Sequence, residues 1–180
     1  MELYRNDKRT ADITNSIQSA TPIRLQLLGM MGAQEAFVLT GSYLAAPRHY
    51  LIIANNKEEA AYLQNTLASL SEDQPIRFFP DSFRRPLFFQ ELNNTNTLER
   101  TETINRISSS HSAGEIIVTY PEALFEKVVA PQVLEANRIH LAVGEETDVD
   151  FLIEILTEYG FAREDFVYEP GQFSVRGGIV

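Results

Sequence analysis

The stretch HYLIIANNKEEAAYLQNTLASL, residues 49–70, decides the fold class of this chain. A compact apolar run that ends in two asparagines is typical of a buried parallel strand followed by a turn. Leu63, Leu67 and Leu70 then recur at helical spacing, and Glu58 stands in the first turn, where a carboxylate favours a helix amino terminus. A buried strand that leads directly into an amphipathic helix predicts an α/β unit.

The same alternation continues on both sides of this stretch. IRFFP (76–80) predicts a second strand, and EIIVTYPEALFEKVV (115–129) predicts a third strand that runs into a helix. Pro121 stands near the first position of that helix, where its missing N–H costs nothing. Residues 1–26 predict a loose helix that leads to a short strand. We therefore expect residues 1–130 to form an α/β domain on an open parallel sheet.

A second unit with a different pattern is predicted at residues 134–180. RIHLAVG (138–144) predicts a strand. TDVDFLIEILTEYGF (147–161) predicts a helix that begins at a cap, Thr147 or Asp148, and ends at Gly160. The remaining run, DFVYEPGQFSVRGGIV, alternates on either side of a Pro-Gly turn, which predicts a hairpin. Together these elements indicate a small α+β domain. The sequence ends inside an apolar strand pattern, so we expect it to be a truncated segment of a longer protein.

Composition excludes several classes of protein. Cysteine is absent, which rules out disulfides, thiolate metal sites and cysteine nucleophiles and is consistent with the cytoplasm, where we place the protein. No stretch approaches the roughly 18 apolar residues of a membrane span, and we expect no membrane partner. The first residues, MELYRNDKRTADI, carry charges of both signs and no apolar core, so they are not a secretory signal.

Charge is distributed unevenly along the chain. The net charge is −10, and from Leu134 onward ten acidic residues stand against three arginines. Such a surface is unsuited to a nucleic-acid backbone, because affinity for phosphate comes mainly from Lys and Arg. The acidic residues form either a solvated face or a surface for a basic protein partner, and both interpretations stay open.

LLGMMGAQEAFVL (27–39) has the outline of a phosphate-binding loop. A working loop, G-x-x-x-x-G-K-S/T, cradles phosphate with backbone N–H groups, neutralises it with the lysine and binds magnesium through the hydroxyl. Laid on that template from Gly29, Gln34 replaces the second glycine, Glu35 the lysine and Ala36 the hydroxyl. The turn at Gly29 and Gly32 between strand and helix keeps only its shape, which serves packing. We therefore predict no nucleotide, cofactor or metal here.

Other catalytic arrangements are equally weak. His49, His111 and His140 lie far apart and lack metal-ligand spacing with a carboxylate, and Glu145 and Glu146 fall in a turn as a solvated cap. We predict no catalytic residue and no enzymatic activity for this segment.

One segment interleaves basic and aromatic residues. Arg84 and Arg85 stand among Phe83, Phe88 and Phe89. Such residues can bind single-stranded nucleic acid by stacking on its bases. More often they belong to a loop that packs on its own domain, and this is the interpretation favoured here.

Three of these stretches together resemble the bacterial transcription-repair coupling factors (Mfd). LLGMMGAQEAFVL followed by NNKEEAAYLQNTL resembles the degenerate loop and first helix of that family's amino-terminal, UvrB-like module. LIEILTEYGFAREDFVYEPGQFSVRGGIV resembles its second domain, and FFPDSFRRPLFF sits where the family carries an aromatic, proline-containing segment. The resemblance covers nearly the whole chain.

The resemblance implies a structural copy of the repair subunit UvrB without ATPase activity: a degenerate RecA-like (P-loop NTPase-like) domain followed by a small domain that binds UvrA. It implies a non-catalytic module that recruits UvrA to stalled RNA polymerase in transcription-coupled nucleotide excision repair. Arg176, in the VRGG stretch, matches a UvrA contact of the family. RNA polymerase, double-stranded DNA, and the ATP and magnesium of the translocase motor are contacts of later domains in that family.

Two other protein classes share parts of this pattern. UvrB itself carries an intact lysine-bearing loop and a long tyrosine-rich hairpin, whereas Glu35 breaks the loop here and the segment from Asp81 to Ser112 is short and contains no tyrosine. Gly178 also stands where UvrB typically has an aspartate. The alternative from another functional class is a nucleotide-binding RecA-like helicase domain with an atypical loop.

Overall fold

The chain folds as a mixed α/β structure. A computed structural model describes residues 2–71, 74, 76–85, 90–108 and 114–180. In chain order its elements are α1 (Glu2–Arg5), α2 (Lys8–Gln18), α3 (Gln34–Ala45), β1 (Tyr50–Ile53), α4 (Lys57–Leu70), β2 (Ile76–Phe78), β3 (Phe83–Arg85), β4 (Gln90–Leu92), α5 (Asn94–Ser108), β5 (Ile116–Thr119), α6 (Pro121–Phe125), α7 (Pro131–Ala136), α8 (Val149–Glu158), β6 (Ala162–Arg163) and β7 (Gln172–Phe173).

A three-stranded parallel sheet forms the centre of the fold. Its order is β1-β5-β2, and Ile116 of the middle strand is in register with Tyr50 on one side and Ile76 on the other. All four residues of β5 are buried, as the unbroken apolar run of the sequence predicts. The three predicted parallel strands are therefore confirmed, and with them the α/β fold class.

Helix α4 packs on the sheet and begins where the sequence places it. The Asn56 side chain accepts a hydrogen bond from the Glu59 backbone N–H at 2.8 Å, which caps the helix. Its apolar face enters the core, where Ala60 and Leu67 are fully buried. Residues on α3, α4 and β5 surround them in one hydrophobic cluster.

Buried polar contacts attach α5 to the rest of the fold at the carboxyl ends of β2 and β5. Arg100 of α5 donates hydrogen bonds to the carbonyl oxygens of Pro80 at 2.7 Å and Ala123 at 2.9 Å. Next to it, the Tyr120 hydroxyl donates to the buried Asp81 carboxylate. Burial and this hydrogen bond raise the pKa of Tyr120, so the phenol stays protonated as a donor.

The strand predicted before the glycine loop is absent. Ile23, Leu25 and Leu27 alternate as a strand would, but the segment that carries them has no neighbouring strand among the described residues. Leu25 and Leu27 instead face Ile13 of α2 across a recess. Within the described part of the chain the sheet therefore has three strands and does not continue into the loop, and the predicted RecA-like arrangement stays a prediction.

The second unit differs from its predicted α+β form in two ways. The helix is confirmed: Asp148 caps α8 by accepting from the Asp150 N–H at 2.9 Å, and Gly160 follows the helix end. The predicted strand at 138–144 is wrong, because no described strand lies beside it to pair with. The boundary at residue 134 stays a prediction.

The predicted hairpin about the Pro-Gly turn is also wrong. The backbone N–H groups of Tyr168 and Glu169 donate to the Gln172 side chain instead of to an opposing strand. Strand β7 pairs in parallel with β6, so that Arg163 lies in register with Phe173. The side-chain acceptor of Gln172 thus replaces the ladder that a hairpin would have formed.

A short antiparallel hairpin, β3–β4, occupies part of the aromatic segment, where no strand was predicted. The polar residues that follow it form the helix α5. The side chains of Arg84 and Arg85, and the whole of Phe88 and Phe89, lie outside the described residues, so the two interpretations of this segment stay predictions.

Candidate functional site

The glycine loop, residues 29–36, closes on itself. Gly29 and Gly32 adopt positive φ angles of 75° and 57°, which turn the chain into α3. The Met31 backbone N–H donates to the side-chain oxygen of Gln34 at 2.9 Å, and the Gln34 N–H lies 3.3 Å from the Met31 carbonyl oxygen. A loop amide of the kind that would bind phosphate therefore already has an intramolecular acceptor.

The two positions after Gln34 also lack the chemistry of a nucleotide site. Glu35 is exposed and negatively charged where a lysine would neutralise phosphate. Ala36 is 1% exposed and belongs to the hydrophobic core, so a hydroxyl at this position would be buried rather than directed towards a metal ion. That the loop binds no nucleotide stays a prediction, and this geometry agrees with it.

A recess of about 520 Å³ lies beside the loop, between α2 and the segment that precedes the loop. Its walls are largely apolar, and the charged pair at its edge is satisfied internally. Arg9 donates two side-chain hydrogen bonds to Asp7, which hold the pKa of Asp7 at about 2. Because Arg9, the one cation among the described residues that line the recess, is paired with Asp7, the recess offers no unpaired positive charge to an anionic ligand.

Arg176 lies on the surface of the second unit. Its guanidinium stacks over the ring of Phe166, with 4.5 Å between the guanidinium carbon and the ring centroid. One of its N–H groups donates to the Asp165 carbonyl oxygen at 3.2 Å, and the Ser174 hydroxyl donates to the same oxygen at 3.0 Å. These contacts orient the side chain while leaving its charge without a carboxylate partner among the described residues.

A second cation lies close to Arg176. A recess of about 370 Å³, here called the arginine recess, is lined by Arg163, Glu164, Asp165, Ser174, Val175 and Arg176. Within the described part of the chain, neither arginine forms an ion pair, whereas Arg138 of the same unit is paired with Glu135 at 2.9 Å. The sequence offered no signal for this pairing of cations, because it depends on the parallel alignment of β6 and β7.

The other predicted candidates do not assemble into a site. Among the residues that the structure describes, no group of three or more His, Asp or Glu side chains is placed to hold a metal ion. His140 lies 3.8 Å from Glu135 in an exposed position, and His111 falls outside the described residues. Within the same described ranges, no helix has the length and hydropathy to cross a membrane.

The second unit matches a known protein family. A family model described as the UvrB interaction domain matches residues 139–180. That segment contains α8, both strands of the parallel pair and the arginine recess.

Curated relatives extend the similarity towards the amino terminus. A transcription-repair-coupling factor of Bacillus subtilis is 26% identical over 155 residues, which cover 86% of this chain and 13% of the relative. One from Staphylococcus haemolyticus is 23% identical over 99% of this chain and 15% of its own length, and one from Staphylococcus epidermidis is 23% identical over 84% and 13%. The chain thus spans about one-seventh of these relatives. Its resemblance to the amino-terminal module of the transcription-repair coupling factors is therefore confirmed.

Proposed function

We propose that this chain is a non-catalytic protein-interaction module of a transcription-repair coupling factor, which binds UvrA through its second unit and so brings it to stalled RNA polymerase. Residues 1–130 act as a degenerate RecA-like support. ATP, magnesium, RNA polymerase and double-stranded DNA are assigned to other parts of the longer family protein. The match of residues 139–180 to the UvrB interaction domain supports the assignment of the binding unit.

The observation that carries the proposal is the state of Arg176. It is an exposed cation without a carboxylate partner among the described residues, on a unit with ten acidic residues and three arginines. A planar guanidinium recognises a partner carboxylate with two parallel hydrogen bonds. The stacking on Phe166 restrains its rotamers before binding, which reduces the entropy lost on association.

Reversing the charge at this position is expected to weaken UvrA binding. In Arg176→Glu, a carboxylate would face the partner's acidic group, so both the attraction and the hydrogen bonds are replaced by repulsion. We expect the affinity to fall roughly 30-fold, about 2 kcal/mol, in biolayer interferometry with UvrA of the same organism.

The matched control for this experiment is Arg138→Glu. It changes the net charge of the same unit equally, but at an arginine that is already paired with Glu135. We expect it to bind nearly as tightly as the wild-type chain. Equal affinity of the Arg176→Glu and wild-type chains would refute the assignment of this residue.

The competing function, a nucleotide-binding helicase-type domain, makes an opposite prediction about ATP. A ligand that binds the folded state raises its stability by RT ln(1 + [L]/Kd). We expect millimolar Mg-ATP to leave the melting temperature unchanged in differential scanning fluorimetry. Glu35→Lys is expected to behave alike, because the Met31 amide stays bonded to Gln34. A rise of several degrees in the wild-type chain would favour the competing function.

A further inference from the structure

We propose that Arg163 and Arg176 together form a clamp for a single carboxylate side chain of the protein partner, with Phe166 as a positioning residue for Arg176. The inference rests on the proposed function, because it names the chemistry of the partner segment that the second unit binds. It adds Arg163 and Phe166 to a surface for which the sequence indicated Arg176 alone.

The backbone brings the two arginines to one place. Strands β6 and β7 pair in parallel: the Ala162 N–H donates to the Gly171 carbonyl oxygen at 2.8 Å, and the Glu164 N–H donates to the Phe173 carbonyl oxygen at 2.9 Å. Phe173, which lies opposite Arg163 in this pairing, is buried. Arg163 ends β6, and both arginines consequently line the arginine recess.

The donors of the clamp are available. The Asp165 carbonyl oxygen accepts from one terminal nitrogen of Arg176, and no other acceptor contacts this guanidinium among the described residues. Arg163 likewise has no side-chain acceptor within those residues. Because a guanidinium has five N–H donors in a fixed plane, the two side chains present more donors than one carboxylate can accept.

Charge decides between a carboxylate and a phosphate backbone as the occupant. Glu164 and Asp165 also line the recess, and the unit as a whole carries a net charge of −7, from three arginines and ten acidic residues. A polyanion would approach many of these carboxylates at once, whereas a single partner carboxylate can reach the two arginines locally. The occupant that fits is therefore one Asp or Glu side chain of a protein.

An apolar recess adjoins the first and indicates what flanks that carboxylate. It measures about 380 Å³ and is lined by Val167, Gln172, Phe173, Ser174, Arg176, Ile179 and Val180. Arg176 belongs to both recesses, and Phe166 and Tyr168 are 57% and 84% exposed beside them. Exposed aromatic residues around an arginine are typical of the energetic centre of a protein interface. We therefore expect the partner segment to carry an aliphatic residue next to its acidic one.

The clamp is tested by double-mutant analysis of UvrA binding to the full 180-residue chain. Arg163→Gln and Arg176→Gln are each expected to weaken binding about tenfold, since each removes hydrogen bonds to a charged group. The double variant should lose less affinity than the product of the two single losses, because both arginines bind the same carboxylate. Phe166→Leu should weaken binding roughly threefold through the lost cation–π contact, and Arg138→Gln should have no effect.

The salt dependence separates a binding role from a structural one. Each single variant should show a shallower fall in affinity with ionic strength than the wild-type chain, while its thermal melt stays unchanged. If Arg163→Gln lowers the melting temperature, Arg163→Lys provides the comparison, since it keeps the charge and loses the fork. Wild-type affinity in both Arg163 variants, together with a loss in Arg176→Gln, would overturn the clamp and leave the proposed function intact.

A second probe makes the inference independent of UvrA. N-acetylglutamate α-amide, whose side chain is its single carboxylate, is titrated into the labelled chain while the Nε–H signals of Arg163 and Arg176 are followed by NMR. Shifts of both signals that saturate together support the clamp even if UvrA fails to bind, which would refute only the proposed function. Absence of shifts at both arginines overturns the clamp. Displacement of this amide by a single-stranded oligonucleotide at a lower concentration would overturn the clamp in favour of a phosphate site.

Discussion

Arg100→Met is expected to lower the free energy of unfolding by about 3–5 kcal/mol, because it breaks a buried ionic contact from one side. Arg100 is 4% exposed, and its guanidinium stacks over Phe79 at 4.2 Å from the ring centroid. It donates to the carbonyl oxygens of Pro80 and Ala123 and pairs with Glu126 at 3.6 Å. Methionine fills the volume of the side-chain stem but leaves these acceptors without a donor.

Urea unfolding followed by circular dichroism measures this loss, with Arg138→Met as the matched control. Arg138 carries the same charge but forms a partly exposed pair with Glu135, so its replacement should cost no more than about 1 kcal/mol. Similar costs for the two variants would mean that the buried hydrogen bonds of Arg100 contribute little net stability. An unchanged m-value would show that the denatured state is the same in both.

Gly114→Ala is expected to lower the free energy of unfolding by about 2–4 kcal/mol, because the new methyl group would clash with main-chain atoms that cannot move aside. A Cβ at this position would lie 2.5 Å from the Arg48 carbonyl oxygen and 2.7 Å from the Arg48 nitrogen. The φ angle of 123° is also one that L residues rarely adopt. Just beyond this contact, β1 and β5 begin to pair, with Tyr50 opposite Ile116.

The same unfolding measurement tests this variant against Gly178→Ala. Gly178 has no atom within 4 Å of its constructed Cβ, so alanine there should be tolerated. The Gly114→Ala chain should also lose the hydrogen bond from the Tyr43 hydroxyl to the Gly114 carbonyl oxygen, now 3.1 Å long. Equal stability of the two alanine variants would contradict the close approach between the backbone segments at Arg48 and Gly114.

Local patterns predicted those parts of the fold whose signals lie within one element. The apolar run at Tyr50–Ile53, the acidic first turn of α4 and the proline at the start of α6 are signals that act within a few residues. The predictions failed where pairing is decided at a distance. The alternation of Ile23, Leu25 and Leu27 indicated a strand, but a strand forms only beside a partner, and none lies there among the described residues.

The candidate sites also differ in whether their signals are local in the sequence or depend on contacts between distant segments. The prediction that the glycine loop binds no phosphate could be made from Gln34 to Ala36, because the template fixes a residue type at each position. The approach of Arg163 to Arg176 follows from the β6–β7 pairing, which the Gln172 side chain helps to define by taking two backbone amides. Burial of Arg100 has no signature in the polar sequence of α5, because it arises from carbonyl groups on other elements.

The hydrogen bond between the Met31 amide and Gln34 bears on how this sequence can evolve. With lysine at position 35 alone, the Met31 N–H would still donate to Gln34 and would not be available to a phosphate. With glycine at position 34 alone, the Met31 N–H would be available, but the negative charge of Glu35 would remain beside it. A hydroxyl at position 36 alone would be buried without a metal to bind. We therefore expect that none of these three replacements alone would create a phosphate-binding loop. Among related sequences, we expect position 35 to vary freely while packing keeps position 36 small.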